Sequence, residues 1–160
     1  MNNSNKFNIL KVAMIEEKKL TPSLEDYLEA ILTLEKENRV ARVKDIAELL
    51  NVQMPSVTGA LKTLKQKNLI NYEKNSYISL TNKGISVAGA IQDLHSAVYL
   101  FLEKILLLPH EEASDQACKI EHIISSETAR RLKNCTRFLL KELSKDEGRL
   151  KSNWEKILTR

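Results

Sequence analysis

Apolar residues recur along this chain at helical spacing, in several separate blocks. Leu24, Tyr27, Leu28, Ile31 and Leu34 fall on one stripe, the three-and-four alternation of an amphipathic helix. Thr21-Pro22-Ser23 precedes it, offering a capping hydroxyl and a proline suited to a first helical turn. Val43, Ile46, Ala47 and Leu50 repeat the pattern over a shorter helix, and Asn51-Val52-Gln53 reads as a turn. Pro55 opens a third helix with the stripe Val57, Ala60, Leu61 and Leu64. Ile70 to Glu73 and Tyr77 to Leu80 then read as two short strands of a hairpin, joined at Lys74-Asn75-Ser76. Thr81 is placed to cap a long helix running to about Leu107, closed off by Pro109. Helices over about Glu111 to Ile124 and Ser125 to about Leu143 follow, then a polar helical tail. The expected fold class is mainly α: an N-terminal winged helix-turn-helix of three helices plus a β-hairpin wing, followed by a helical domain. The boundaries predicted are a mobile arm over 1–20, the winged helix over 21–81, the helical domain over 82–143 and the tail over 144–160.

The helix-turn-helix reading rests on spacing. Ala47 is small, as a close helix crossing requires, and Asn51 sits where the turn needs positive φ. Val57 is the apolar residue that seats the second helix of the pair. From Leu49 to Tyr72 there is no Asp or Glu, while Lys62, Lys65 and Lys67 are present. A helix approaching phosphates needs such a surface, because each carboxylate opposes the gain from counterion release. Gln53, Ser56 and Thr58 are short polar groups at the start of the third helix, able to reach base edges or phosphates in a major groove. Lys74 and Asn75 are placed on the wing to touch the neighbouring backbone. The competing reading is a winged helix used as a protein-interaction module, with the lysines merely solvating an exposed face.

Composition narrows the picture only slightly. Four glycines and three prolines in 160 residues favour long helices, and the net charge of +4 suits a phosphate-bearing partner without requiring one. Cys118 and Cys135 are too few for a disulfide framework and their separation fits no zinc finger, so a cytoplasmic chain is expected. Cys135 reads as a small core residue. Unbroken apolar runs such as Ile105 to Leu108 are too short to span a bilayer. Lys11, Glu16 and Glu17 interrupt the N-terminal segment, which is not a secretory signal.

Three places offer metal ligands. Asp26 and Glu29 are three apart on the first helix, opposite its apolar stripe, and His95 lies on the long helix. Cys118, Glu121 and His122 project a thiol, a carboxylate and an imidazole from one helical turn, with Ala113, Ala117, Ile120 and Ile124 expected to point elsewhere. Oxygen, nitrogen and one sulfur together suit a first-row transition ion better than Mg²⁺ or Ca²⁺. Each group also has an ordinary reading, as a solvated helix face or a packed side chain.

The chain resembles the diphtheria toxin repressor and manganese transport regulator family over about residues 21 to 140. The resemblance rests on Ser23-Leu24-Glu25-Asp26-Tyr27-Leu28-Glu29, Ala41-Arg42-Val43-Lys44-Asp45-Ile46-Ala47, Pro55-Ser56-Val57-Thr58, Leu80-Thr81-Asn82-Lys83-Gly84 and Cys118-Lys119-Ile120-Glu121-His122. It implies a homodimer that binds palindromic double-stranded operators when its metal sites fill, and represses metal-homeostasis genes in response to Mn²⁺ or Fe²⁺, with Zn²⁺ or other first-row ions possible in vitro. The implied ligands are Asp26, Glu29, His95, Cys118, Glu121 and His122. Cys118 follows the iron branch and the helix-one pair follows the manganese branch, so the set is a hybrid. Tyr99 and Ser114 replace two ligands of the iron branch's second site, and the chain ends before that branch's SH3-like domain, which implies the short form. The candidate DNA-contacting set, read from the residues themselves, is Gln53, Pro55, Ser56, Thr58, Lys62, Lys65 and Lys74, and against the family Gly59 replaces a base-contacting Gln of some members. No enzyme activity is expected: there is no His-Glu-x-x-His motif and little room for a substrate cleft. The alternative kept open is a winged-helix factor sensing a small molecule or oxidant through Cys118.

Overall fold

The computed structural model describes residues 20–38, 40–73, 76–145 and 149–158. The expected N-terminal arm, apart from Leu20, and the wing-tip residues Lys74 and Asn75 lie outside the described residues. The chain divides into two compact units, 1–89 and 90–160.

In the first unit, helix α1 (Pro22–Asn38) starts where the proline and threonine placed it. The Leu24 amide donates to the Thr21 carbonyl at 2.8 Å and lies 3.4 Å from the Thr21 hydroxyl. Its buried face, Tyr27, Leu28, Ala30, Ile31, Leu32 and Leu34, is wider than one stripe because α1 packs against both α2 (Val43–Leu49) and α3 (Met54–Gln66). The turn between α2 and α3 is a Schellman motif. Asn51 adopts φ 51°, its amide donates to the Glu48 carbonyl at 3.2 Å, and the Val52 amide donates to the Ala47 carbonyl at 2.9 Å. The same motif closes α3: Asn68 has φ 56°, and the Asn68 and Leu69 amides donate to Lys65 and Leu64. Leu69 then turns inward to join the core, the apolar contact that usually accompanies such a cap.

Strands β1 (Ile70–Asn71) and β2 (Ser79–Leu80) pair antiparallel, Ile70 opposite Leu80 and Asn71 opposite Ser79. The ladder is shorter than the alternation from Ile70 to Glu73 and from Tyr77 to Leu80 predicts. Ile78 exchanges both of its backbone hydrogen bonds with Ala41, which is how the wing is tied to the start of α2. Glu35 on α1 accepts the Leu80 amide at 3.2 Å, and burial pushes its carboxyl pKa upward. The Thr81 hydroxyl accepts the Gly84 amide at 3.0 Å and donates to the Asn68 carbonyl at 2.8 Å, so it caps the next helix and fastens it to the end of α3. Gly84 is required there, since a Cβ would collide with the Leu69 carbonyl oxygen.

Helix α4 (Asn82–Lys104) is followed by α5 (His110–Glu121), α6 (Ser126–Leu143) and α7 (Arg149–Leu158). By length and composition α4 could cross a bilayer. A search for unbroken apolar runs misses this because Asp93 and His95 interrupt it, and its buried residues Ile91, Ala97, Val98 and Leu102 mark a packed helix. In the second unit Val98 and Leu102 pack with Ala113 and Ala117 of α5, whose small side chains allow a close approach, and Ile120, Ile124 and Leu132 close round them. Ser125, expected as the first residue of this helix, is instead its N-cap and accepts the Thr128 amide at 3.1 Å. Between α4 and α5 Leu107 adopts φ 59°, and the Trp154 indole of α7 donates to the Ile105 carbonyl at 2.7 Å. Cys135 is exposed, contrary to the core reading: it stands on the outer face of α6, while Thr136 turns inward with its hydroxyl bonded to the Leu132 carbonyl.

Candidate metal centre and nucleic-acid interface

Glu121 is the decisive residue. It follows Ala113 and Ala117 at intervals of four, so it continues the buried stripe of α5 and is only 2% exposed. The expectation that the alanines face away from the polar cluster is therefore wrong for this residue, and the i, i+4, i+8 spacing in the sequence was the available signal. Its Oε2 lies 2.6 Å from His95 Nδ1 of α4. Its Oε1 is, among the described residues, the one buried side-chain polar atom without a hydrogen-bond partner. A half-satisfied carboxylate in a protein interior is strongly unfavourable unless something cationic joins it.

The surrounding donors fit such a cation. Ligand atoms of His95, Cys118 and Glu121 all lie within 4.8 Å of one another. His122 brings Nε2 to 3.9 Å from the unpartnered Glu121 oxygen. Hydrogen bonds from the imidazole to the Cys118 sulfur and then to the Glu121 carboxylate hold the His95 pKa up at about 10. Imidazole, carboxylate and thiol form a mixed set suited to a borderline transition ion. Cys118 is exposed, so it is not the core hydrophobe that a free cysteine commonly is. Asp26 and Glu29 belong to the first unit, where both are half-buried on α1 and not on a fully solvated face.

The third helix presents the expected polar groups. Gln53 at its N-cap, Pro55, Ser56, Lys62 and Lys65 are exposed, and Thr58 is half-buried with its hydroxyl donating to the Met54 carbonyl at 3.0 Å. Lys74 lies outside the described residues. Gly59 leaves open space beside the helix. One cationic group escaped the sequence reading: Arg42 stacks over the Tyr77 ring, 5.1 Å from its centroid, and donates to its hydroxyl at 3.3 Å. Thirty-five positions separate the two residues, so no local pattern could reveal the pair.

Residues 19–77 match the family model for the iron dependent repressor N-terminal DNA binding domain, and residues 81–146 match its metal binding and dimerisation domain. The chain belongs to the iron-dependent repressor family. Among its relatives, an HTH-type transcriptional regulator of Methanocaldococcus jannaschii is 41% identical over 115 residues, 71% of this chain and 92% of that one. The HTH-type transcriptional regulator MntR of Bacillus pumilus is 36% identical over 118 residues, 74% of this chain and 81% of MntR. The solved structure of the manganese regulator SloR superposes with a TM-score of 0.66 at 29% identity, over 74% of this chain but 55% of SloR. This chain thus spans about half of SloR and most of the two sequence relatives. The iron-dependent repressors are transcriptional regulators. In this member the His95, Cys118 and Glu121 cluster falls inside the metal-binding and dimerisation match, and α2 and α3 fall inside the DNA-binding match.

Proposed function

We propose that this chain is a metal-responsive transcriptional repressor, a homodimer that binds a palindromic DNA operator in the cytoplasm when loaded with Mn²⁺ or Fe²⁺ and catalyses no reaction. The single observation that carries the reading is the buried, half-satisfied Glu121 carboxylate set between His95, Cys118 and His122. A bound divalent ion would take the place of the His95 proton beside this carboxylate and give its second oxygen a partner. His95 and Glu121 join α4 to α5 and so hold the two helices of the centre in register. His95 has to release its proton before Nδ1 can coordinate, so affinity falls as pH falls. Asp26 and Glu29 are the ligands proposed for the DNA-binding unit. Ligation can favour operator binding only if these side chains hold the DNA-competent arrangement better than any other.

Gln53, Pro55, Ser56 and Thr58 are the groups proposed to enter the major groove, with Lys62, Lys65 and Lys74 on phosphates. Exposed apolar residues such as Leu100 and Ile123 in the second unit support a face covered by a second copy. The test is operator mobility shift with and without Mn²⁺, Fe²⁺ and Zn²⁺, for the native chain and for Glu121→Ala with His122→Ala. The native chain should bind only with metal, and the double variant should stay dimeric and unresponsive. A full metal response in the double variant would remove the site. Loss of binding through thiol oxidation, with no metal effect, would favour Cys118 as a redox switch instead.

A further inference from the structure

A second cluster of ligand groups lies at the α4–α5 corner, apart from the Cys118 centre. Tyr99 and Glu103 are four apart on α4 and so share one face. His110, the first residue of α5, reaches back to them: its Nδ1 is 2.7 Å from the Tyr99 hydroxyl and 3.5 Å from Glu103 Oε1. The corner is built for this approach, since Leu107 takes a left-handed backbone and Pro109 ends the turn. The Tyr99 ring packs edge-on against the imidazole, with centroids 5.6 Å apart, and stacks on His95 at 6.3 Å on its other side. The Glu103 side chain is 19% exposed and pairs through Oε2 with the Lys104 ammonium, which leaves Oε1 facing His110. Lys104, then Tyr99 and His110, hydrogen-bond it and hold its pKa down at about 2, so it is anionic at any ordinary pH.

The geometry points to a second site for a divalent transition ion, with Glu103 and His110 as ligands and the Tyr99 hydroxyl positioning both. Imidazole and carboxylate without sulfur suit Zn²⁺, Co²⁺, Fe²⁺ or Mn²⁺. Water completes the coordination, because the His110 side chain is largely exposed. Lys104 lies 2.8 Å from Glu103 Oε2, and its half-exposed side chain can swing away when the ion enters. The inference does not depend on the Cys118 centre or on DNA binding.

The full chain, stripped of metal, would be titrated with Co²⁺, following absorption and bound metal by equilibrium dialysis. Two ions per chain are expected, and only one should give the near-ultraviolet thiolate-to-cobalt band that reports on Cys118. Glu103→Gln with His110→Gln should keep that band and lose one ion, while Cys118→Ser with Glu121→Gln should lose the band and keep one. A native chain that takes a single ion, or a Glu103/His110 variant that still takes two, overturns the proposal. If the double variant fails to fold, His110→Gln alone changes only an exposed side chain. It should weaken the band-free site at least about tenfold, and an unchanged affinity there overturns it equally. A missing band with an intact second ion would count against the Cys118 centre only.

Discussion

The two units of this repressor treat their polar groups in opposite ways. In the first, the critical polar side chains and turn residues are satisfied by backbone: Asn51 and Asn68 close two Schellman turns, Thr81 caps α4, and Glu35 holds the Leu80 amide. In the second, a carboxylate is buried with one oxygen unpartnered, and apolar side chains such as Ile123, Phe138 and Ile157 stay in solvent. The first unit therefore satisfies these polar groups within itself, although Leu49, Met54 and Ile85 leave it apolar surface too. The second keeps a buried carboxylate oxygen that a further partner can satisfy, which is the pattern a sensing half needs.

Substitutions can break this contrast, beginning where backbone leaves no slack. Gly84→Ala puts a methyl into the Leu69 carbonyl, where neither helix end can move without losing the Thr81 hook. It should destabilise the protein by about 3 kcal/mol, measured by urea unfolding, and metal addition should not repair the local clash. Glu121→Gln tests the other half. At metal concentrations near 100 times Kd the native chain should gain about 2.7 kcal/mol in stability, and the variant essentially none. An equal gain in both would show that Glu121 is buried for some reason other than metal. The smallest effect separates sterics from side-chain chemistry in the turn: Asn51→Ala should cost about 1 kcal/mol through its left-handed φ, whereas Asn51→Gly should be close to neutral. If Gly costs as much as Ala, the amide side chain matters and the turn is held by more than backbone geometry.

Much of this was legible beforehand. The helix order, the Thr21 and Thr81 caps, the positive φ at Asn51 and burial of Val57 all follow from local chemistry at short spacing. Ligand type alone suggests the convergence of His95 with Cys118 and Glu121, but the depth of Glu121 shows only in its place on the stripe of Ala113 and Ala117, which the polar character of its own turn conceals. The Ala41–Ile78 bridge, the Arg42–Tyr77 stack and the approach of His110 to Glu103 had no local signature.

By itself, then, the chain's order of residues determined which segments become helix, strand and turn, since propensity, capping and apolar period act within a few positions. It also set which chemical groups were available as ligands. Which of them meet, and which oxygen is left bare in the interior, was decided only by tertiary packing. Distances between residues dozens of positions apart depend on how closely helices approach, and here that closeness was governed by small side chains such as Ala113 and Ala117 between α4 and α5.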